Sequence, residues 1–100
     1  MTLSELATQY QEDRAALDAT HPPHANVRVC RYCGRARGVW KAARFEGHVG
    51  CVVTPAFMQR VVEFYEAAPA FGHADVALAL GVTPPIVRAW WNIAKGNPRP

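Results

Sequence analysis

Four side chains that can bind a transition metal lie in two closely spaced pairs. Cys30 and Cys33 form a C-x-x-C pair, and His48 and Cys51 form an H-x-x-C pair. Two ligands separated by two residues can bind one ion from a single tight turn, and two such turns complete the four-coordinate shell of a structural zinc site. The sequence therefore predicts one structural Zn²⁺ bound by three cysteines and one histidine.

The cysteines could instead form a redox pair or part of a disulfide framework. A redox-active C-x-x-C pair is expected near a βαβ pattern, which this sequence lacks, and a disulfide framework favours an even number of cysteines rather than three. Gly34 directly follows the second cysteine, where a residue free to take positive φ lets backbone amides turn back toward the sulfur atoms. These features favour the metal interpretation over both alternatives.

The segment CRYCGR, residues 30–35, resembles the zinc knuckle of zinc-ribbon and treble-clef modules. This resemblance implies a metal but no particular activity. Some metal-dependent nucleases use such a module, with a histidine that activates water beside the ion. Here all four donors are needed to close the site, whereas a catalytic metal requires an open position. The sequence also has no phosphate-binding glycine loop, no serine elbow and no carboxylate pair in an identifiable pocket, so we expect that the protein is not an enzyme.

Positive charge is concentrated around the predicted ligands. The chain has a net charge of +3. Its 100 residues are enough for one small domain, which a bound metal would help to stabilise. Six basic residues lie near the ligands, namely Arg28, Arg31, Arg35, Arg37, Lys41 and Arg44. We expect a subset of them, Arg28, Arg35 and Arg37, to contact DNA phosphates. An ordinary solvated face is the alternative.

Residues 1–26 are expected to form a helix and a proline-containing connector. Thr2 followed by Glu5 is a capping-box pattern, and the helix should continue to about Ala19. Four apolar residues share one face of it, which Asp13 interrupts: Leu3, Leu6, Tyr10 and Leu17. This face either packs on the chain's own domain or forms a homodimer through the N-terminal helix.

Residues 27–53 are expected to form a Cys3His zinc module built on a small β-hairpin. Gly38 is assigned to a tight turn and residues 39–45 to a strand. Trp40 and Phe45 should pack around the metal-bound turns, because so small a module has little other apolar material to exclude water.

A further helix is expected directly after the zinc module. Thr54 suits the N-cap position and Pro55 the first helical position, where its missing amide costs nothing. The helix should run to about Ala68, since Pro69 cannot continue it. Its apolar face is broad, which predicts a central place in the core.

The segment ADVALALGVTPPIVRAWW, residues 74–91, resembles the helix-turn-helix of bacterial and phage DNA-binding proteins. Seven positions match the apolar, small and turn positions of that family: Val76, Ala77, Leu80, Gly81, Val82, Val87 and Trp90. Ala77 allows two helices to cross closely, and Gly81 can supply the positive φ of the turn. Thr83 is expected to cap the second helix, and Pro84 to occupy its first turn.

Residues 54–100 should therefore be a helix-turn-helix domain with a three-helix core and a basic tail. The expected fold class is mainly α, with the β-hairpin zinc module and the N-terminal helix added to that core. Pro84 and Pro85 depart from the family, whose early recognition-helix positions carry polar side chains for base edges. The expected nucleic-acid contacts in this domain are Thr83, Arg88, Asn92 and Lys95.

The resemblance implies a small zinc-stabilised protein that binds double-stranded DNA and acts as a transcriptional regulator of bacterial or phage type. The alternative is a protein-binding adaptor that docks on RNA polymerase or another host protein, with Trp91, which is expected to be exposed, as its anchor. No apolar run is long enough to cross a bilayer and the N-terminus lacks a signal pattern. We expect the cytoplasm of a bacterial or phage-infected cell, where thiols stay reduced.

Overall fold

The computed structural model describes residues 2–23, 28–36, 40–42 and 45–96. The elements follow one another in the order α1 (Leu3–Thr20), β1 (Trp40–Ala42), β2 (Phe45–Gly47), α2 (Pro55–Ala67), α3 (His73–Leu80) and α4 (Pro84–Ala94). The two short strands pair antiparallel, with Lys41 opposite Glu46. Among the helices of these residues, none combines the length and the apolar character needed to cross a membrane.

The first helix begins with the predicted capping box. The Glu5 N–H donates to Thr2 Oγ1 at 3.2 Å, and the Thr2 N–H donates to Glu5 Oε1 at 3.0 Å. The helix continues one residue beyond the predicted end at Ala19, to Thr20. Its last carbonyl groups include that of Leu17, which accepts the N–H of residue 21 at 2.9 Å. The predicted helix is therefore confirmed.

The apolar face of α1 belongs to the main core. Leu6 and Tyr10 are buried, and the Tyr10 ring lies 5.6 Å from the Phe57 ring and 5.7 Å from the Trp90 ring, measured between centroids. Four helices therefore share one core, because α1 packs against both α2 and α3. The homodimer through α1 stays a prediction, and it would have to use residues other than these two.

The helix α2 begins and ends close to the predicted positions. Thr54 is its N-cap, and its Oγ1 accepts the Phe57 N–H at 3.1 Å. Pro55 occupies the first turn, and the helix ends at Ala67 before Pro69. The N-terminal end of α2 is also hydrogen-bonded to α1, because the Thr54 N–H donates to Asp13 Oδ2 at 2.9 Å. The sequence did not predict this contact. The polar residue that interrupts the apolar face of α1 thus binds the beginning of α2.

A tight turn joins α3 to α4, as the sequence predicted. Gly81 has φ +78°, and its N–H and that of Val82 both donate to the Ala77 carbonyl oxygen, at 2.8 and 3.0 Å. Thr83 occupies the predicted N-cap position of α4, but its side chain makes no capping hydrogen bond. Prolines fill the first two positions of the helix, and the next amide, of Ile86, donates to the Thr83 carbonyl oxygen at 3.1 Å instead.

The predicted fold class needs a correction, although its mainly helical character is confirmed. The prediction of a zinc module built on a β-hairpin is wrong, because the strand predicted over residues 39–45 is replaced by two paired strands of three residues each that carry none of the four predicted ligands. Strands this short provide too few ladder hydrogen bonds to form a stable module. The predicted turn at Gly38 lies outside the described residues, as do the side chains of Trp40 and Phe45 that were expected to cover the metal.

Candidate metal centre and recognition helix

The four predicted metal ligands come together at one point. One donor atom from each of Cys30, Cys33, His48 and Cys51 lies within 4.8 Å of the others, and Cys33 Sγ is 3.3 Å from His48 Nδ1. A tetrahedral Zn²⁺ with bonds of about 2.0–2.3 Å would separate its ligand atoms by roughly 3.3–3.8 Å. None of the three cysteines forms a disulfide. The cluster can therefore hold a metal ion.

The first ligand turn, residues 30–35, is closed by two backbone hydrogen bonds. The Gly34 N–H donates to the Cys30 carbonyl oxygen at 2.9 Å, and the Cys30 N–H donates to the Arg35 carbonyl oxygen at 3.0 Å. Gly34 has φ +78°, a conformation that residues with a Cβ rarely adopt. The predicted role of this glycine in the turn is therefore confirmed.

The thiol groups of the cluster differ in acidity. Burial raises the pKa of Cys30, but hydrogen bonds from the backbone of His48, Cys33 and Tyr32 outweigh it and lower that pKa to about 6. Burial raises the pKa of Cys51 to about 11, and the nearby Cys30 and Cys33 sulfurs add to this effect. Cysteine binds metal as the thiolate. A cation between the sulfurs would also favour the thiolate of Cys51, because it replaces repulsion with attraction.

Gly47 packs closely against the first ligand turn, where there is no room for a side chain. A Cβ at this position would lie 3.0 Å from Tyr32 Cδ2 and 3.1 Å from Cys30 Sγ, which is closer than such atoms normally approach. Gly47 ends β2 and directly precedes His48. The sequence analysis did not predict that Gly47 is needed for this close packing. Its position directly before the ligand His48 was the only sequence feature that pointed to it.

Tyr32 attaches the first ligand turn to α1. Its hydroxyl donates to Asp18 Oδ1 at 2.8 Å and accepts from Arg14 Nη1 at 2.8 Å. Burial, followed by the hydrogen bond to Asp18, raises the pKa of Tyr32 to about 12, so the hydroxyl keeps its proton at neutral pH. Arg14 is buried although it lies on a surface helix. No local sequence pattern predicts these long-range contacts.

Arg31 also contacts α1, near the C-terminal end of that helix. Its Nε and Nη2 atoms donate to the His21 carbonyl oxygen at 3.2 and 3.0 Å, and its Nη1 lies 3.5 Å from Asp18 Oδ1. Only 12% of its side chain is exposed. Of the predicted phosphate contacts, Arg28 and Arg35 are exposed. Arg37 lies outside the described residues, as do the side chains of Lys41 and Arg44.

The second ligand turn, residues 48–51, is joined to α4. The Cys51 N–H donates to the His48 carbonyl oxygen at 2.9 Å. Between these two ligands, the Val49 carbonyl oxygen accepts the indole N–H of Trp90 at 3.2 Å. The two valines that follow the turn, Val52 and Val53, are buried in the core. The turn is therefore continuous with the core on which α4 packs.

The helix α4 has one buried face and one polar face, as predicted. Ile86, Val87 and Trp90 are buried, whereas Arg88 and Lys95 are exposed and Asn92 is half-buried. Ala89 is also buried, which the sequence analysis did not anticipate. The polar stripe, defined as Arg88, Asn92 and Lys95, lies on the outward side of α4. The structure thus places two of the predicted nucleic-acid contacts, Arg88 and Asn92, on one helix and a third, Lys95, at its C-cap.

Trp91 is half-buried rather than exposed, and it borders a shallow cleft of about 300 Å³. The other residues that line this aromatic cleft are Tyr65, Pro69, Phe71, Gly72 and His73. The Tyr65 hydroxyl and His73 Nδ1 are 2.9 Å apart, and Lys95 Nζ lies 5.6 Å from the centre of the Trp91 ring. Burial lowers the pKa of His73, and the nearby Arg88 lowers it further, so the ring is neutral at pH 7.

Comparison of this chain with protein-family models, with curated proteins and with solved structures found no match. What the protein does must therefore be inferred from its own side chains and their geometry.

Proposed function

We propose that this protein is a small zinc-stabilised DNA-binding protein, a transcriptional regulator of bacterial or phage type, whose helix α4 enters the major groove. The observation that supports this function best is the polar stripe on α4, which follows a tight turn from α3 and lies opposite a fully buried face. A helix held in this way can present its side chains to base edges, since an α-helix fits the major groove.

Zinc is the ion that suits the cluster best. Thiolate and imidazole donors are soft or borderline ligands, and three cysteines with one histidine form a recurrent structural zinc set. His48 Nδ1 is the ring nitrogen that faces Cys33 Sγ, so it is the donor we assign to the ion. Because the protein supplies all four ligands, the ion would stabilise the fold and leave no position for a substrate.

The residues of the polar stripe suit different parts of DNA. Arg88 can donate two hydrogen bonds to guanine, and Asn92 can pair with adenine in the same groove. Lys95 suits a phosphate, since its single charge carries no base preference. Thr83 is exposed and its side chain makes no capping hydrogen bond, so its hydroxyl could donate to a phosphate at the start of α4. The contacts to bases would come from the middle of α4, because Pro84 and Pro85 at its start have no polar side chain.

Two exposed basic residues, Arg35 in the first ligand turn and Arg28 just before it, would add sequence-independent contacts. Arg28 and Arg35 are exposed beside a turn that also docks on the main core through Tyr32. Contacts of this kind supply most of non-specific DNA affinity and make it depend on salt. Arg31 does not share this role, because its guanidinium group binds Asp18 and the His21 carbonyl oxygen.

The test is binding of the zinc-loaded protein to mixed-sequence duplex DNA, measured by fluorescence anisotropy at several salt concentrations. We expect the logarithm of the association constant to fall linearly with the logarithm of salt concentration. Arg60→Ala is the charge-matched control, because Arg60 lies on α2 and donates to Gln9 Oε1 at 2.9 Å. Absence of binding at low salt, or an equal loss in Arg60→Ala and Arg88→Ala, would contradict the proposal.

The aromatic cleft supports a second candidate function, a protein-binding adaptor that docks on RNA polymerase or another host protein. Tyr65, Phe71 and Trp91 give the cleft an apolar lining, and Arg88 and Lys95 stand near its edge. Tryptophan and arginine are enriched in interface hot spots. This function would require Trp91 for capture of a protein partner, while DNA binding would not depend strongly on that ring.

A further inference from the structure

One buried hydrogen bond connects the second ligand turn to the helix proposed to read DNA. Trp90 has 0% of its surface exposed, and its indole N–H donates to the Val49 carbonyl oxygen at 3.2 Å. Val49 lies between His48 and Cys51, two of the four residues that can hold the ion. The position of the acceptor therefore depends on the shape of the turn that the metal would close.

The apolar surroundings of Trp90 make the loss of this hydrogen bond energetically costly. The indole ring packs against the rings of Tyr10 and Phe57, with centroids 5.7 and 5.6 Å away. Such apolar surroundings exclude water, and a buried N–H group that loses its partner is costly because nothing replaces it. The ring can stay fully buried and keep its donor satisfied only while the Val49 carbonyl oxygen remains in place.

We infer that Trp90 is a positioning residue through which the metal sets the placement of α4. An occupied site holds the second ligand turn, the turn holds the indole group, and the indole group fixes the rotation of α4 about its axis. The polar stripe and Trp91 lie on the same helix, so their presentation depends on metal occupancy. The part of this inference that concerns DNA rests on the proposed function, whereas the coupling between the metal and α4 does not.

Thermodynamic linkage makes this coupling testable from the metal side. If the ion stabilises the contact between Trp90 and Val49, then that contact must favour binding of the ion by the same factor. Trp90→Phe keeps an aromatic ring but removes the donor. We expect the dissociation constant for zinc to rise at least about tenfold in this variant, by analogy with residues that orient metal ligands. The constant is measured by competition with a chromophoric chelator.

Two control variants separate this effect from a general loss of stability. Val61→Ala removes buried volume from α2, at a residue that is 0% exposed, and Trp91→Phe alters the neighbouring ring on α4. We expect the zinc dissociation constants of both controls to lie within about twofold of that of the parent protein. An unchanged dissociation constant in Trp90→Phe, or an equal rise in Val61→Ala, would overturn the inference.

Hydrogen exchange provides a direct measurement on the unaltered chain. After chelation, exchange of the indole N–H of Trp90 should accelerate on the order of tenfold or more beyond any acceleration at the amide of Val61 in α2. Retained protection of the indole, or an acceleration no greater than that at Val61, would overturn the inference. If the coupling is found but no DNA binds, the proposed function fails while this inference stands.

Discussion

Individual residues around the first ligand turn have roles that their types alone do not reveal. Arg31 and Arg35 lie four positions apart in the same basic cluster, yet only Arg35 is exposed. The guanidinium group of Arg31 contacts Asp18 and the His21 carbonyl oxygen, so its charge is used inside the protein. A count of basic residues therefore overestimates the charge that can reach a phosphate.

A comparison of these two arginines tests that distinction. Arg35→Ala should reduce the slope of log affinity for DNA against log salt by ~1, because one phosphate contact is lost. Arg31→Ala should leave the slope unchanged but lower the free energy of unfolding by about 1–3 kcal/mol, because its partners lose a charged hydrogen-bond donor. The measurements are salt-dependent anisotropy and urea unfolding. Equal slopes for all three proteins would return Arg35 to an ordinary solvated face.

Gly47 is a second residue whose role depends on its neighbours. We expect Gly47→Ala to destabilise the zinc-loaded protein by about 1–3 kcal/mol, because the added methyl group overpacks the space beside Tyr32 and Cys30. Thermal unfolding measures this loss. Gly72→Ala is the matched control, since its Cβ would meet no atom closer than 3.9 Å. Similar losses in both variants would show that the close approach at Gly47 is not limiting.

At the level of elements, α4 connects the core, the second ligand turn and the outward surface. Trp90 points inward and donates to Val49, while Arg88 is exposed on the same helix. Trp91, also on α4, is half-buried and lines the aromatic cleft. The two candidate functions therefore use neighbouring side chains of one helix and can be separated by single substitutions.

Substitutions on α4 distinguish the regulator from the adaptor. Arg88→Ala should relax sequence preference by ~1–3 kcal/mol at one base pair, since one bidentate contact is lost, and Asn92→Ala should have a smaller effect. Trp91→Ala should weaken DNA binding little. Selection from a randomised duplex library measures the preference. If Arg88→Ala leaves DNA binding intact and Trp91→Ala abolishes capture of a protein partner, the adaptor function replaces the regulator.

At the scale of the whole molecule, the ligand cluster lies where several segments meet. The first ligand turn docks on α1 through Tyr32, and the second docks on α4 through Val49. A chain of 100 residues has a small core, so an ion that joins these segments would contribute much of the stability.

Metal removal tests this arrangement. The purified protein should contain one zinc ion per chain by elemental analysis, because all four donors converge on one point. Chelation should lower the free energy of unfolding by about 4 kcal/mol if free zinc was present at about 1,000 times its dissociation constant. Protein purified under reducing conditions that contains a disulfide between Cys30 and Cys33 and no metal would refute the zinc assignment.

The sequence by itself determined the features that depend on residues a few positions apart. The capping box at Thr2, the N-cap at Thr54, the turn at Gly81 and the paired ligands were all predicted, because each requires only the types and spacing of near neighbours. The alternation of buried and exposed residues in α4 follows from helical periodicity in the same way. The extent of the strands was not predicted, since short strands depend on their pairing partner.

Only the tertiary structure decided which distant groups meet. Asp13 binds Thr54 and Trp90 binds Val49 across 41 positions of sequence in each case, and no local pattern specifies either pair. The same is true of Tyr32 and Arg14, which come together only when the first ligand turn docks on α1. Such contacts arise from the way in which the helices pack, because packing sets which donor and acceptor are enclosed together.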